Sequence, residues 1–168
     1  NIEVIKRIIV AFIPTGVLGF ALYSVVKGIF LESNTLVLYA LFFGGIALIV
    51  FEGWYWKCGI TRTQDIEKIS LWHAALIGMF QSLAFIPGVS RSAATIVGGL
   101  LLGISRQTIV EFSFLLAVPT ILAATGVELI KNFGNFQLVH VHLLATGMVV
   151  SFIVALVSMK FLLMFIRN

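Results

Sequence analysis

Charge is confined to a few positions, and the stretches between them are long enough to cross a bilayer. Arg7 and Lys27 bracket the uncharged run Ile8–Val26, and Glu32 and Glu52 bracket Ser33–Phe51. A third run, with a core of about Leu138–Met159, lies between Lys131 and Lys160. A fourth, Gln107–Ile130, is as long and carries only Glu111 and Glu128. About 20 apolar residues in a helix traverse roughly 30 Å of hydrocarbon. These four segments therefore predict spans over about residues 8–26, 33–51, 107–130 and 138–159. Pro14 and Pro119 fall inside two of them, which membrane helices tolerate because neighbouring groups re-satisfy the freed carbonyl. With 60% hydrophobic and 11% charged residues, the chain cannot cover a soluble surface, where about a quarter of residues are normally charged. A soluble enzyme, a disordered chain and a disulfide scaffold are excluded, the last also by the single Cys58. The expectation is one all-α polytopic membrane domain over residues 1–168.

Ser70–Ser105 breaks the pattern. Its one charge, Arg91, lies in the middle, just after Pro87-Gly88, a pair that interrupts helices. Leu71–Ile86 gives roughly 24 Å of helix, too short to cross comfortably, and Ser92–Gly103 is shorter. Two half-helices meeting at a Pro-Gly break predict a re-entrant hairpin over about residues 71–105. Such backbone is tolerated at membrane depth only where it is buried in protein or lines a wet cavity.

The distribution of basic residues favours this reading. If the hairpin returns to the side it left, Lys6, Arg7, Lys57, Arg62, Lys68, Arg106, Lys160 and Arg167 share one side, and only Lys27 and Lys131 lie on the other. If Leu71–Ser90 crosses instead, the split falls to six against four. The stronger bias marks the cytoplasmic side. It also accounts for the net charge of +4 without invoking nucleic acid. Trp54, Tyr55 and Trp56 fit an interfacial aromatic belt beside the same loop, and Ile2–Arg7 reads as a solvated end.

The chemistry concentrates in Pro87-Gly88-Val89-Ser90-Arg91-Ser92-Ala93-Ala94-Thr95. An arginine near mid-membrane is costly and marks a functional site or an internal ion pair. This one sits at a helix start, where unpaired amides and the helix dipole favour an anion. Its planar fork matches phosphate oxygens, and Ser90, Ser92 and Thr95 add neutral donors. Gly88, Gly98, Gly99 and Gly103 permit close backbone approach. The pattern describes an oxyanion pocket suited to phosphate or diphosphate, as a substrate to be hydrolysed or a cargo to be carried. The competing structural reading pairs Arg91 with Glu111 and uses the hydroxyls as helix caps. Gln81 is either a donor into the pocket or a polar link between helices. His73 reads as interfacial. His140 and His142 fall on opposite helix faces, against a metal site. Glu52 and Glu128 read as interface acids, and Phe42, Phe43, Phe112 and Phe114 as lipid-facing or packing residues.

PGVSRSAAT at Pro87–Thr95, followed by EFSFLLAVP at Glu111–Pro119, resembles the undecaprenyl-diphosphate phosphatase family, the bacitracin-resistance phosphatases. Gly78–Ala84, Gly98–Gly103 and the order of spans are similar as well. The resemblance implies a bacterial inner-membrane, multi-pass enzyme that removes the terminal phosphate of undecaprenyl diphosphate, so that the lipid carrier returns to cell-wall synthesis. It implies an inverted-repeat, transporter-like fold with two re-entrant hairpins. Arg91 and Ser90 are then the catalytic candidates, and Gly88, Ser92, Thr95, Gln81 and Glu111 the substrate-binding ones. It further implies Mg²⁺ or another divalent cation, although this chain supplies no carboxylate cage and no cofactor of its own is expected. An isoprenyl diphosphate and membrane lipids are the expected partners, and oligomeric state, a homodimer included, is open. The family's glutamate-rich motif and its histidine-containing run are not found here. The expectation is a central-to-late piece of a longer protein that holds the phosphate-binding half of the site. The alternative is a non-catalytic lipid-phosphate carrier or transporter, which needs no general base opposite Arg91. A histidine-dependent membrane phosphatase is disfavoured, since no histidine lies between His73 and His140.

Overall fold

The computed structural model describes residues 2–25, 34–55, 65–132 and 139–167. Six α-helices follow in order: α1 (Ile2–Val25), α2 (Asn34–Tyr55), α3 (Leu71–Gln81), α4 (Arg91–Leu101), α5 (Arg106–Asn132) and α6 (Val139–Arg167). Short 3₁₀ turns cover Ile66–Lys68 and Ser82–Phe85. Among the described residues, four helices are long and apolar enough to cross a membrane: Ile2–Leu22, Thr35–Tyr55, Arg106–Lys131 and His142–Phe165. The protein is an all-α, multi-pass membrane protein. Lys27, Glu32, Trp56, Lys57, Cys58 and Arg62, and the side chain of His140, lie outside the described residues.

The chain divides into two compact units, Asn1–Thr120 and Ile121–Asn168. In the second unit, α6 exposes apolar side chains along its length, from Leu143 and Met148 to Phe161 and Phe165. In the first unit, the core is built from Ala11, Tyr55, Ile69, Ala74, Ile77, Leu100, Ile104, Ile109, Phe112 and Leu116. They come from the middle of α1, the end of α2, the approach to α3, α3 itself, the end of α4 with the turn after it, and the beginning of α5.

The hairpin is held by contacts that only small residues allow. A Cβ on Gly78 would stand 1.9 Å from the carbonyl oxygen of Ala11, so α1 and α3 meet backbone to backbone. Thr15 fastens the crossing by donating to the Gly78 carbonyl at 2.8 Å. Gly98 of α4 accommodates the Phe80 ring of α3, and Gly99 accommodates Ile109 of α5. The first half-helix is shorter than its apolar run. α3 ends at Gln81, and the chain tightens into the 3₁₀ turn before Ile86, which is extended (φ −73°, ψ 113°). A residue before proline is driven out of the α region by clash with the ring, so Pro87 ends the helix from downstream.

α4 closes with Gly103 at φ +78°. The Gly103 N–H bonds Leu100 O at 3.1 Å and the Ile104 N–H bonds Gly99 O at 3.0 Å. These paired bonds around a left-handed glycine form a Schellman cap, with its apolar follower Ile104 buried. Ser105 then caps α5 by accepting from the Thr108 N–H at 3.3 Å. One tight turn therefore both ends α4 and starts α5.

The hairpin returns to the end of the unit that it left. Arg106 Nη2 lies 2.7 Å from both carboxylate oxygens of Glu52 at the close of α2. Arg7 donates through Nε to Ile69 O at 2.6 Å and through Nη2 to Glu67 O. Had residues 71–105 made one full crossing, Arg106 would lie about 30 Å from Glu52. Arg7 is thus not part of a solvated end: its side chain is 12% exposed and ties α1 to the approach to α3. Glu52 is not merely an interfacial acid but a cross-helix partner. The aromatic belt is also corrected. Tyr55 is 3% exposed and stacks on Phe51 at 5.7 Å, while Trp54 alone of the described pair is open. Successive helical residues point about 100° apart, so neighbouring aromatics cannot all face the same environment. On the connecting segment, a hydrogen bond with Asp65 raises the pKa of Lys68 above its ordinary value, across a fully exposed 2.6 Å ion pair.

Candidate functional site

The site is built where the chain turns from the 3₁₀ segment into α4. Gly88 has φ +97°, a conformation nearly closed to residues with a Cβ. A Cβ there would also stand 2.7 Å from Val37 O and 3.0 Å from Ala40 Cβ of α2. Gly88 therefore seats the turn against α2 and directs Val89–Ser90 into the start of α4.

Ser90 is the N-cap. Its Oγ accepts from the Ala93 N–H at 3.4 Å and lies 3.2 Å from Ser92 Oγ. The Ala94 N–H bonds Ser90 O. Among the described residues, the Arg91 and Ser92 amides are left without an intrahelical acceptor, as the first turn of a helix requires. Both serines are exposed at the helix's positive end. The capping role and the availability of the two hydroxyls coexist.

Arg91 is half-buried. Its Nη1 donates to Thr120 Oγ1 at 3.1 Å. No carboxylate among the described residues forms an ion pair with it. Glu111 instead accepts from Gln107 Nε2 at 3.3 Å and stands nine residues before Thr120 on α5, roughly 13 Å along the axis. The structure thus does not bring Glu111 to the guanidinium. A cation that is partly desolvated and faces a neutral hydroxyl retains most of its capacity to bind an anion.

Thr95 and Gln81 lie behind this group. Thr95, 1% exposed, shares its one hydroxyl proton between two acceptors, Arg91 O at 2.9 Å and Gln81 Oε1 at 3.4 Å. Gln81 is 2% exposed, and its Nε2 is buried without a hydrogen-bond partner. Gln81 therefore links α3 to α4 through its oxygen and keeps a donor unspent. His73 lies in the first turn of α3, its backbone N–H bonded to Ser70 Oγ, and His142 is exposed on α6.

A separate cleft of about 200 Å³ runs along the other face of α4, lined by Ala93, Ile96, Val97, Leu100, α2 and Arg106. It is largely apolar and does not include Arg91 or Ser90.

The residues around Arg91 do not fit a resident divalent cation. They are a guanidinium, hydroxyls and an amide. Among the described residues no group of three or more His, Cys, Asp or Glu side chains could hold a metal ion. The donor set suits an oxyanion.

Thr120 was not visible as a site residue in the sequence, although a signal existed. It is the residue immediately after the second motif, and it continues the buried stripe Phe112, Leu116, Thr120 at helical i, i+4, i+8 spacing. A threonine ending an apolar inward stripe still has lone pairs to offer, and Arg91 donates to them.

Comparison with known proteins places the chain in a family. Residues 1–168 match the family described as bacitracin resistance protein BacA. A protein of Persephonella marina named undecaprenyl-diphosphatase is 47% identical over 168 residues, covering 100% of this chain and 65% of that protein. Proteins of the same name from a Sulfurihydrogenibium species and from Aquifex aeolicus are 50% and 45% identical, each covering 99% of this chain and 65% and 64% of the respective relative. The chain spans just under two thirds of the length of these curated relatives. A family match over residues 1–168 establishes that this chain belongs to the bacitracin resistance protein BacA family.

Proposed function

We propose that this protein hydrolyses undecaprenyl diphosphate to undecaprenyl phosphate and inorganic phosphate in the bacterial inner membrane, recycling the lipid carrier of cell-wall synthesis. The observation that carries this reading is Arg91: a half-buried guanidinium at the start of α4, held by the neutral Thr120 and facing no carboxylate among the described residues. The relatives' shared name, undecaprenyl-diphosphatase, supplies the substrate.

In the reaction, an oxygen nucleophile attacks the terminal phosphorus, the bridging P–O bond breaks, and the lipid phosphate leaves. Such transfers depend mainly on positioning and charge stabilisation. Arg91 clamps the phosphate oxygens and stabilises charge as it develops. Ser90 and Ser92 donate from the helix start, Gly88 sets the turn that presents them, and Thr95 and Gln81 hold the Arg91 backbone and the α3–α4 contact. The attacking oxygen is water or a serine activated by a base outside this set.

The test is phosphate release from a short-chain isoprenyl diphosphate in detergent, using the protein expressed from its complete reading frame. Arg91→Ala should lower turnover by about 10²-fold or more, the range for losing an oxyanion-stabilising donor. Near-normal turnover in that variant would remove the clamp. Diphosphate binding without turnover in the unaltered protein would instead make it a carrier.

A further inference from the structure

Arg91 needs something to aim it, because a long side chain on an exposed helix start has many rotamers and a loosely held clamp gains little. The only side chain among the described residues that engages its guanidinium is Thr120, 29 positions along the chain and on a different helix. Thr120 is suited to this by its own bonding. Its hydroxyl lies 3.0 Å from Leu116 O and 2.9 Å from Ala117 O, so its single proton is spent on the preceding turn of α5. A hydroxyl whose proton is committed presents its lone pairs and acts as an acceptor. It is 6% exposed, so water does not compete freely for those lone pairs. It is also neutral. A carboxylate at this position would hold Arg91 equally well but would cancel the charge that an anion requires.

We propose that Thr120 is the positioning residue of the phosphate clamp: a buried, neutral acceptor that fixes the Arg91 guanidinium through Nη1 and leaves the remaining N–H groups for phosphate oxygens. The proposal rests on the reading of Arg91 as the clamp. It assigns a function to the residue just after the second sequence motif, where the stripe Phe112, Leu116, Thr120 brings that hydroxyl to α4. Thr95 has the complementary task, since it bonds the Arg91 carbonyl and not the guanidinium.

The test is a double-mutant cycle in the protein expressed from its complete reading frame, with kcat and KM measured separately for phosphate release. Thr120→Val keeps the shape and removes the acceptor; Thr120→Ser keeps the acceptor. Thr120→Val should lower kcat/KM by about tenfold to a hundredfold, the scale of a misplaced catalytic group. Thr120→Ser should stay within about threefold of the parent. In an Arg91→Ala background, Thr120→Val should have no further effect, because nothing remains to be aimed. A purely structural role would lower both backgrounds alike, so equal losses with and without Arg91 overturn the proposal. Unchanged kcat/KM in Thr120→Val overturns it as well. If Thr120→Val does not fold, Thr120→Ala and Thr120→Cys carry the comparison, with inorganic diphosphate binding as the readout. If the unaltered protein neither releases phosphate nor binds diphosphate, the reading of Arg91 falls and this proposal falls with it; loss confined to the Thr120 comparison leaves the clamp standing.

Discussion

Gly88 performs two tasks that no other residue type combines. It takes φ +97° and lets the Val37 carbonyl of α2 approach to where a Cβ would be. Gly88→Ala should cost about 1–2 kcal/mol from the left-handed backbone alone, with a further penalty from the contact. The expected result is a lower thermal midpoint in detergent, and an unchanged midpoint would contradict the seating of the turn on α2. At this scale the sequence was informative where chemistry is local. The Pro-Gly break, the helix start at Ser90–Arg91 and the Gly103–Ser105 turn each follow from a single residue's preference, and each stands where its residue is. Partnerships across the fold were not legible. Arg7 with Ile69, Glu52 with Arg106 and Arg91 with Thr120 join residues 62, 54 and 29 positions apart, and no local rule fixes which distant group a long side chain will reach. Tyr55 was misread for the related reason that a rule for helix-end aromatics does not specify which face each occupies.

At the scale of elements, the hairpin is a device for bringing a helix start into the protein without exposing broken backbone to lipid. α3 and α4 are each 11 residues, about 16 Å of helix, so neither crosses a bilayer alone. Their packing on α1, on each other and on α5 relies on Gly78, Gly98 and Gly99 in turn, where a side chain would collide with a neighbour. The uninterrupted apolar run Leu71–Ile86 overestimates α3, because Pro87 excludes the α conformation from the residue before it and the chain has already tightened into the 3₁₀ turn at Ser82–Phe85. The arrangement makes a topological prediction. With Cys58 replaced by serine, Lys68→Cys and Gln107→Cys flank the hairpin at exposed positions. Both should react with a membrane-impermeant maleimide from the same face of sealed vesicles. Labelling from opposite faces would mean that residues 71–105 cross, and it would separate Glu52 from Arg106.

At the scale of the whole molecule, the unit Asn1–Thr120 contains the turn at Gly88, Arg91 and Thr120, while the chain's relatives extend well beyond the length matched here. What this unit offers is recognition: a positive helix end, two exposed hydroxyls and an arginine with no carboxylate partner among the described residues. The central claim is that these groups bind phosphate oxygens. Its most direct measurement is the affinity of the detergent-solubilised protein, expressed from its complete reading frame, for inorganic diphosphate by isothermal titration, with Arg91→Ala beside it. The account predicts saturable binding that weakens by about tenfold to a hundredfold in the variant, the scale of losing hydrogen bonds to a charged group. Equal affinity in the two proteins would contradict it.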